Sequence, residues 1–316
     1  MDKVLVIGAS GQIGSELTMA LRAVHGNENV FATDIKQAPQ DIIESGPFQI
    51  LDVLNGSALN AFVVRNKITQ VYHLAAVLSG NAEKLPIPSW EINMNGLLNV
   101  LNIAKEVGVK RVFWPSSIAV FGNTTPKINT PQLTVMEPST VYGISKLAGE
   151  RWIEYFNNKY GVDTRSVRYP GLISYKTEAG GGTTDYAVEI FYDAIKNKRY
   201  ECFLKSDATL PMMYMADALD ATIGLMQADR SKLTVKSSYN LAAISFSPAE
   251  IAAEIKKHIP EFEIVYEPDF RQAIAESWPQ SIDDSVAQKD WGWKFRYGLK
   301  EMTEVMLTEI SKKFNK

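Results

Sequence analysis

The sequence predicts an α/β fold, a doubly wound parallel sheet followed by a smaller C-terminal α/β lobe. Three observations carry that expectation. Short runs that are apolar on both faces alternate with longer stretches of helical periodicity, the pattern of a parallel sheet covered on both sides. A glycine-rich turn joins the first such strand to the first such helix. The alternation loosens after Tyr169, where Pro170-Gly171 closes a strand.

Taken in order, Val4-Leu5-Val6-Ile7 reads as a buried strand, and residues 14–23 follow with helical spacing of Leu17, Ala20 and Leu21. Residues 30–33, 48–51, 71–74 and 111–114 continue the strand series, with a long helix over 92–107 before the last of these. A further helix spans 141–159, and 164–169 is a strand. Beyond it, Gly180-Gly181-Gly182 is a flexible turn or lid. Ser247-Pro248 is a helix start, serine as N-cap and proline in the first turn. Phe262, Ile264 and Tyr266 alternate as a strand, and 299–312 is a closing amphipathic helix. We expect residues 1–170 to form a dinucleotide-binding domain, to which a segment at about 212–228 returns. Residues 171–316 are then a substrate lobe over the sheet edge.

Composition excludes several classes of function. The chain has 316 residues, enough for a large buried core, and 33 Lys plus Arg against 36 Asp plus Glu. That balance offers no basic excess to neutralise phosphates, so nucleic acid is not the expected partner. Cys202 is the only cysteine, which excludes an internal disulfide and a Cys-rich zinc site and suits a reducing compartment. His25, His73 and His258 are scattered, so no metal is expected. No apolar run reaches the ~18 residues a membrane span needs. Asp2-Lys3 leads straight into the first strand, leaving no room for a leader; a cytoplasmic protein is expected.

The turn Gly8-Ala9-Ser10-Gly11-Gln12-Ile13-Gly14 has the spacing G-x-x-G-x-x-G. Glycines there let backbone approach a pyrophosphate, which then faces a helix N-terminus and its partial positive charge. Asp34 lies 20 residues beyond Gly14, at the end of the second strand, where a carboxylate accepts hydrogen bonds from ribose hydroxyls. It would repel a 2′-phosphate, which favours NAD over NADP, though Lys36 stands close by. Asp52-Val53 would flank the adenine, and Leu74-Ala75-Ala76 are small enough to let backbone pass near the cofactor.

Tyr142 and Lys146 stand four apart on a helix and share a face. Glu150 and Arg151, a turn further on, are expected to point outward. Ser117 follows the strand ending at Trp114, so a serine hydroxyl, a phenol and an amine can converge on the crevice. Oxidising a secondary alcohol requires removal of its hydroxyl proton as hydride leaves carbon. A phenol of ordinary pKa ~10 is a poor base near neutrality. Lowering that value by about three units takes about 4 kcal/mol, which an adjacent ammonium and a positive nicotinamide ring can supply in a poorly solvated cleft. Ser117 would hold the substrate oxygen as charge develops on it.

These motifs, with Tyr169-Pro170-Gly171 and Tyr239-Asn240-Leu241, resemble the extended short-chain dehydrogenase/reductase family over nearly the whole chain. The resemblance implies a Rossmann fold, NAD as cofactor, and Ser117, Tyr142 and Lys146 as the catalytic set. It also implies cofactor contacts from Gly8, Gly11, Gln12, Ile13, Gly14, Asp34, Ile35, Asp52, Val53, Leu74, Ala75, Ala76, Asn93, Tyr142, Lys146 and Tyr169. Many members act on nucleotide sugars and carry an arginine for the diphosphate; the matching position here is Leu210. Leu78-Ser79-Gly80, the stretch from Gly180 to Ala187, and the stretches 276–285 and 290–293 instead resemble the short-chain threonine dehydrogenases of that family. This likeness implies oxidation of L-threonine to 2-amino-3-oxobutanoate, a step of threonine breakdown, by a homodimer built on the helices around 92–107 and 141–159. It places Ser79, Ser117, Tyr142, Gly182, Thr183, Thr184, Asp185 and Trp278 around the substrate. Asp185 either balances the substrate ammonium or caps the helix after it. Trp278 would close over the substrate methyl group, with Gly180-Gly181-Gly182 as a lid. A nucleotide-sugar epimerase or dehydratase and a non-catalytic NAD-binding protein are the alternatives.

Overall fold

A computed structural model describes residues 2–177 and 180–314. The first half is strand and helix in alternation: β1 (Val4–Ile7), α1 (Gln12–His25), β2 (Val30–Asp34), α2 (Gln40–Ser45), β3 (Phe48–Ile50), α3 (Gly56–Arg65) and β4 (Gln70–His73). A short α4 (Ser79–Ala82) precedes α5 (Pro86–Val107), β5 (Arg111–Phe113), β6 (Ser116–Ser117), α6 (Val141–Tyr160), β7 (Thr164–Arg165) and β8 (Val167–Tyr169). The central sheet has six strands in the order β3-β2-β1-β4-β5-β7, and every pairing is parallel. The chain winds outward from β1 on one side, then crosses to β4 and winds outward on the other. That reversal leaves a crevice at the carboxyl ends of β1 and β4, where doubly wound sheets take ligands. The fold class matches the expectation from the sequence.

Pro115 interrupts the ladder after β5, because proline has no N–H to donate. Pairing resumes as β6-β8-β12, with β12 at Tyr239–Asn240, all parallel. The expected strand over 164–169 is likewise two pieces broken at Ser166. The helix expected from 92 starts earlier, at Pro86; a proline fits the first turn, where the missing N–H would have no helical partner.

One face of the sheet is covered by a core that includes Leu17 and Leu21 of α1 and Ala218, Ala221 and Leu225 of α8 (Met215–Gln227). The other face is covered by Phe62 of α3, Leu97, Val100 and Leu101 of α5, and Ile153 and Phe156 of α6. Each fully buried side chain of this size contributes about 1.5–3 kcal/mol by leaving water.

A third core lies beyond the sheet edge. It gathers Tyr186, Ile190 and Phe191 of α7 (Tyr186–Lys196), Phe246, Ile251 and Ile255 around α9 (Pro248–Lys256), and Met302, Met306 and Ile310 of α12 (Leu299–Phe314). Two small sheets join it. In one, β9 (Gly171–Ile173) pairs parallel with β11 (Leu210–Tyr214), which pairs antiparallel with β13 (Ile244–Phe246). In the other, β10 (Arg199–Cys202) pairs parallel with β14 (Glu263–Tyr266). Ser247 caps α9 with a complete capping box through Glu250, and Pro248 sits in its first turn. Of the segment 212–228, β11 stays with the small sheet, while α8 packs on α1. Helix α10 (Arg271–Ser277) carries Trp278 at its end, and α11 (Ser285–Trp291) packs on β12.

Candidate active site

Two cavities adjoin at the crevice, sharing Leu74 and Ala76 in their walls. The larger, about 340 Å³, lies over β1, β2 and β4 and is lined by Gly8, Gly11, Asp34, Ile35, Asp52, Val53, Leu74, Ala75 and Ala76. The smaller, about 140 Å³, is lined by Gln12, Ile13, Ser79, Ser117, Tyr142, Lys146, Tyr169, Gly182, Thr183, Thr184, Asp185 and Trp278. Residues from seven separate stretches of the chain thus meet in the smaller cavity.

The turn after β1 is shaped for close approach. Gly8 has φ of +87°, and a Cβ on it would lie 2.6 Å from the Ala75 nitrogen. A Cβ on Gly14 would lie 2.0 Å from the Gly8 oxygen, so Gly14 serves the packing of α1 on the turn and does not itself line either cavity. Gly11 is different. Its Cβ would meet only the Gly8 oxygen at 3.4 Å, and the bare backbone opens on the cavity. Helix α1 has no side-chain cap, which leaves its first N–H groups facing the crevice. The Asp34 carboxylate accepts from the Ser10 N–H at 2.9 Å and from the Lys36 N–H at 3.3 Å, which aims it at the same space. This cradle fits a dinucleotide: backbone donors for a pyrophosphate at one end and a carboxylate for ribose hydroxyls at the other.

Asn93 is not in either wall. Its side chain accepts from the Val77 N–H at 2.8 Å and donates to the Val77 oxygen at 3.2 Å and the Ser145 hydroxyl at 3.2 Å. It braces the loop after β4 against α6.

Tyr142 and Lys146 both point from α6 into the smaller cavity. Thr140 caps that helix, its side chain accepting from the Gly143 N–H at 3.1 Å. Ser117 is the last residue of β6 and accepts from the Ala119 N–H at 3.2 Å. The Lys146 ammonium donates to the Pro115 carbonyl at 2.6 Å and stands 4.4 Å from the Trp114 ring centroid and 5.4 Å from that of Tyr142. Burial pulls its pKa down to about 7, against the opposing influence of Glu150. Burial also pushes the Tyr142 phenol up to about 12, with the hydrogen bond to Ser117 acting the other way. The sequence reading expected a phenol lowered by the ammonium and a bound nicotinamide ring; the protein alone raises it, because desolvation outweighs the Ser117 hydrogen bond. His73, at the end of β4, is fully buried with neither ring nitrogen bonded, and burial holds it neutral, near a pKa of about 3.

Glu150 does not point outward. It is fully buried and forms a two-pronged ion pair with Arg168 at 2.9 and 2.8 Å, whereas Arg151 beside it is exposed. Asp185 neither caps α7 nor points free into the cavity: one carboxylate oxygen accepts from the N–H groups of Gly181 at 2.7 Å and Gly182 at 2.6 Å, and burial raises its pKa. It ties the glycine loop down. Thr183 is buried with its hydroxyl unbonded. Sequence reasoning missed Pro115, whose carbonyl holds Lys146, and Leu78, Ile118 and Leu172 in the wall. It also missed Arg168. A cation inside the run Val167-Arg168-Tyr169 was the available signal, since a buried guanidinium demands a carboxylate. Among the described residues, no group of acidic, histidine or cysteine side chains could hold a metal, and no helix is long and apolar enough to cross a membrane.

A family model described as the NAD dependent epimerase/dehydratase family matches residues 4–242. The chain belongs to the NAD dependent epimerase/dehydratase family. NAD is the cofactor of this epimerase/dehydratase family, and the cradle over β1 and β2 is built to receive it. Within the family, an uncharacterized epimerase/dehydratase of Staphylococcus haemolyticus is 50% identical over 99% of both chains. The holo form of a GalE-like L-threonine dehydrogenase from Cupriavidus necator is 56% identical, with a TM-score of 0.95 over 98% of this chain and 99% of that one. A monomeric L-threonine 3-dehydrogenase from a metagenome is 45% identical, with a TM-score of 0.95 over 99% of this chain and 100% of that one.

Proposed function

We propose that this protein oxidises L-threonine at its 3-hydroxyl, giving 2-amino-3-oxobutanoate and NADH. The observation that carries the reading is the single small cavity in which Ser117, Tyr142 and Lys146 meet Ser79, Gly182, Thr183, Thr184, Asp185 and Trp278. At about 140 Å³ it falls below the ~300 Å³ at which pockets for larger ligands begin. The 56% identity to a threonine dehydrogenase supports the same substrate.

Gly8, Gly11, Gln12, Ile13, Asp34, Ile35, Asp52, Val53, Leu74, Ala75, Ala76 and Tyr169 would hold the cofactor, with Lys146 and Tyr142 at its reactive end. When bound, NAD supplies a hydride acceptor whose oxidised ring is positively charged. The remaining work falls to the chain. Tyr142 takes the substrate hydroxyl proton at its Oη. Lys146, fixed by the Pro115 carbonyl, holds its charge beside the phenolate that accepts that proton. Ser117 donates to the substrate oxygen, whose charge grows as the proton leaves. The open hydroxyl of Thr183 is left for the carboxylate end, and Trp278 excludes water. Asp185, by fixing that loop, positions rather than reacts.

The division of labour we propose is residues 1–170 with the returning α8 for the cofactor, and 171–316 otherwise for the substrate. We further propose a cytoplasmic enzyme of threonine breakdown that acts as a homodimer through α5 and α6. A groove lined by Leu98, Asn102, Trp152, Tyr155 and Tyr160 runs along those helices, with the three aromatics exposed. A nucleotide-sugar substrate is disfavoured because Leu210 is buried in β11 and the nearby Lys127 ammonium is already spent on the Ser277 carbonyl at 2.7 Å. Tyr142→Phe tests the proposal. Turnover of L-threonine should fall by about 10²–10⁴-fold, the usual worth of a positioned base, with NAD affinity nearly unchanged. Substantial residual turnover would remove Tyr142 from the base role.

A further inference from the structure

Arg168 is among the largest fully buried side chains of the described residues. Its register explains why it is there. In the parallel pairing of β6 with β8, Ser116 faces Arg168 and Ser117 faces Tyr169, so Arg168 lies one step behind the catalytic serine. It donates through Nε and Nη2 to the two oxygens of Glu150, and through Nη1 to the Asn240 side chain at 2.9 Å and the Gln132 carbonyl at 3.1 Å. Glu150 accepts a third bond, from the Ser116 hydroxyl at 2.6 Å. Every polar atom of the pair is thus engaged, which is the condition under which burying both charges is tolerable.

Glu150 also stands four residues after Lys146 on α6, on the same face of the helix. We propose that the Glu150–Arg168 pair is a positioning device for the active site: the Glu150 carboxylate keeps the proton on Lys146, and Arg168 with Ser116 holds that carboxylate in place. This rests on the reading of Lys146 as the cation beside the Tyr142 base. The charged and titratable groups around Lys146 are few. Among the described residues they are Tyr142 and Glu150 on its own helix, His73 on β4, and Asp185 across the cavity, whose carboxylate is held by the glycine loop, with Arg168 on β8 and Arg151, 3.9 Å from Glu150, behind the Glu150 carboxylate. His73 is neutral, and the remaining neighbours, Trp114 and the Pro115 carbonyl, carry no net charge. Glu150, buried on the same face of α6, is thus the carboxylate placed to counter desolvation of the ammonium, in agreement with the direction in which it acts on Lys146.

The test reads Lys146 directly. In protein carrying [ε-¹³C]lysine, the Lys146 resonance, assigned by its loss in Lys146→Met, is titrated with pH. Glu150→Gln keeps the shape and removes the charge; the midpoint should fall by about one unit, a tenfold loss in protonation at fixed pH. Glu150→Gln leaves Arg168 buried without a counter-charge and can fail to fold. Glu150→Gln/Arg168→Gln removes both charges, lets the two amides bond to each other, and should also lower the midpoint. A midpoint unchanged in whichever of these variants folds overturns the proposal; so does folding of neither until Glu150→Asp, which restores charge and fold, leaves the midpoint displaced as far as an uncharged residue would. NADH formation from L-threonine is followed on the same wild-type preparation. If the midpoint moves while no L-threonine is oxidised, the substrate reading falls and the electrostatic assignment stands.

Discussion

Lys146 carries a cost that the rest of the molecule must offset. Its folded pKa lies near 7, against an ordinary value of about 10.4. Below pH 7 the folded protein holds a buried ammonium. Between about pH 7 and 10 the unfolded chain binds a proton that the folded chain does not, so this residue makes stability rise with pH across that window. Lys146→Met removes the burden. Thermal denaturation should show the variant more stable than wild type at pH 7, with the advantage shrinking toward pH 10. No gain at pH 7 would mean that the ammonium is better solvated than its contacts with Pro115 and Trp114 indicate. At this scale the sequence named Ser117, Tyr142 and Lys146 correctly as neighbours, because helical spacing and strand order suffice to bring them together. It misplaced Glu150. Four-residue spacing already set Glu150 on the face of Lys146, but carboxylates are rarely buried without a partner, and the partner, Arg168, lies on a strand that only tertiary structure brings near.

The element proposed to govern cofactor binding is α1 with the loop before it. Its glycines have separable tasks. A Cβ on Gly14 would be driven into the Gly8 carbonyl at 2.0 Å, so Gly14→Ala must displace the helix. Overpacking of this kind costs about 1–3 kcal/mol, and a melting temperature lower by roughly 3 °C or more is expected, with NAD binding impaired. Gly11→Ala meets only a 3.4 Å contact. It should melt close to wild type while binding NAD more weakly, because its added methyl group enters the cavity. Equal melting losses in the two variants would refute this separation. The strands of the central sheet were legible because their apolar runs are bounded by polar turns. The ends of elements were less so. Residues 86–91 show no apolar stripe, yet α5 begins there because Pro86 suits a first turn; nothing in the apolar run around Ser166 marks the break there.

At the scale of the whole molecule, the lobe proposed to meet the substrate is assembled from segments distant in sequence. β9, β11 and β13 form one sheet, and α12 packs on α7 and α9. No local pattern announces such pairings, so the lobe could be expected but not drawn. The proposed dimer belongs to this scale too. Trp152, Tyr155 and Tyr160 present exposed rings along α6, and Trp152→Glu would place a charge among them. Sedimentation should show a dimer converted to monomer, the active cavity being intact; a wild type that already sediments as a monomer would end that proposal and align the protein with its monomeric relative. The account as a whole claims that hydride leaves carbon 3 of L-threonine within the small cavity beneath Trp278. Incubation with NAD and L-threonine deuterated at carbon 3 tests this most directly. The account predicts NADH carrying the deuterium, read by mass spectrometry; no NADH, or NADH without the label, would contradict it.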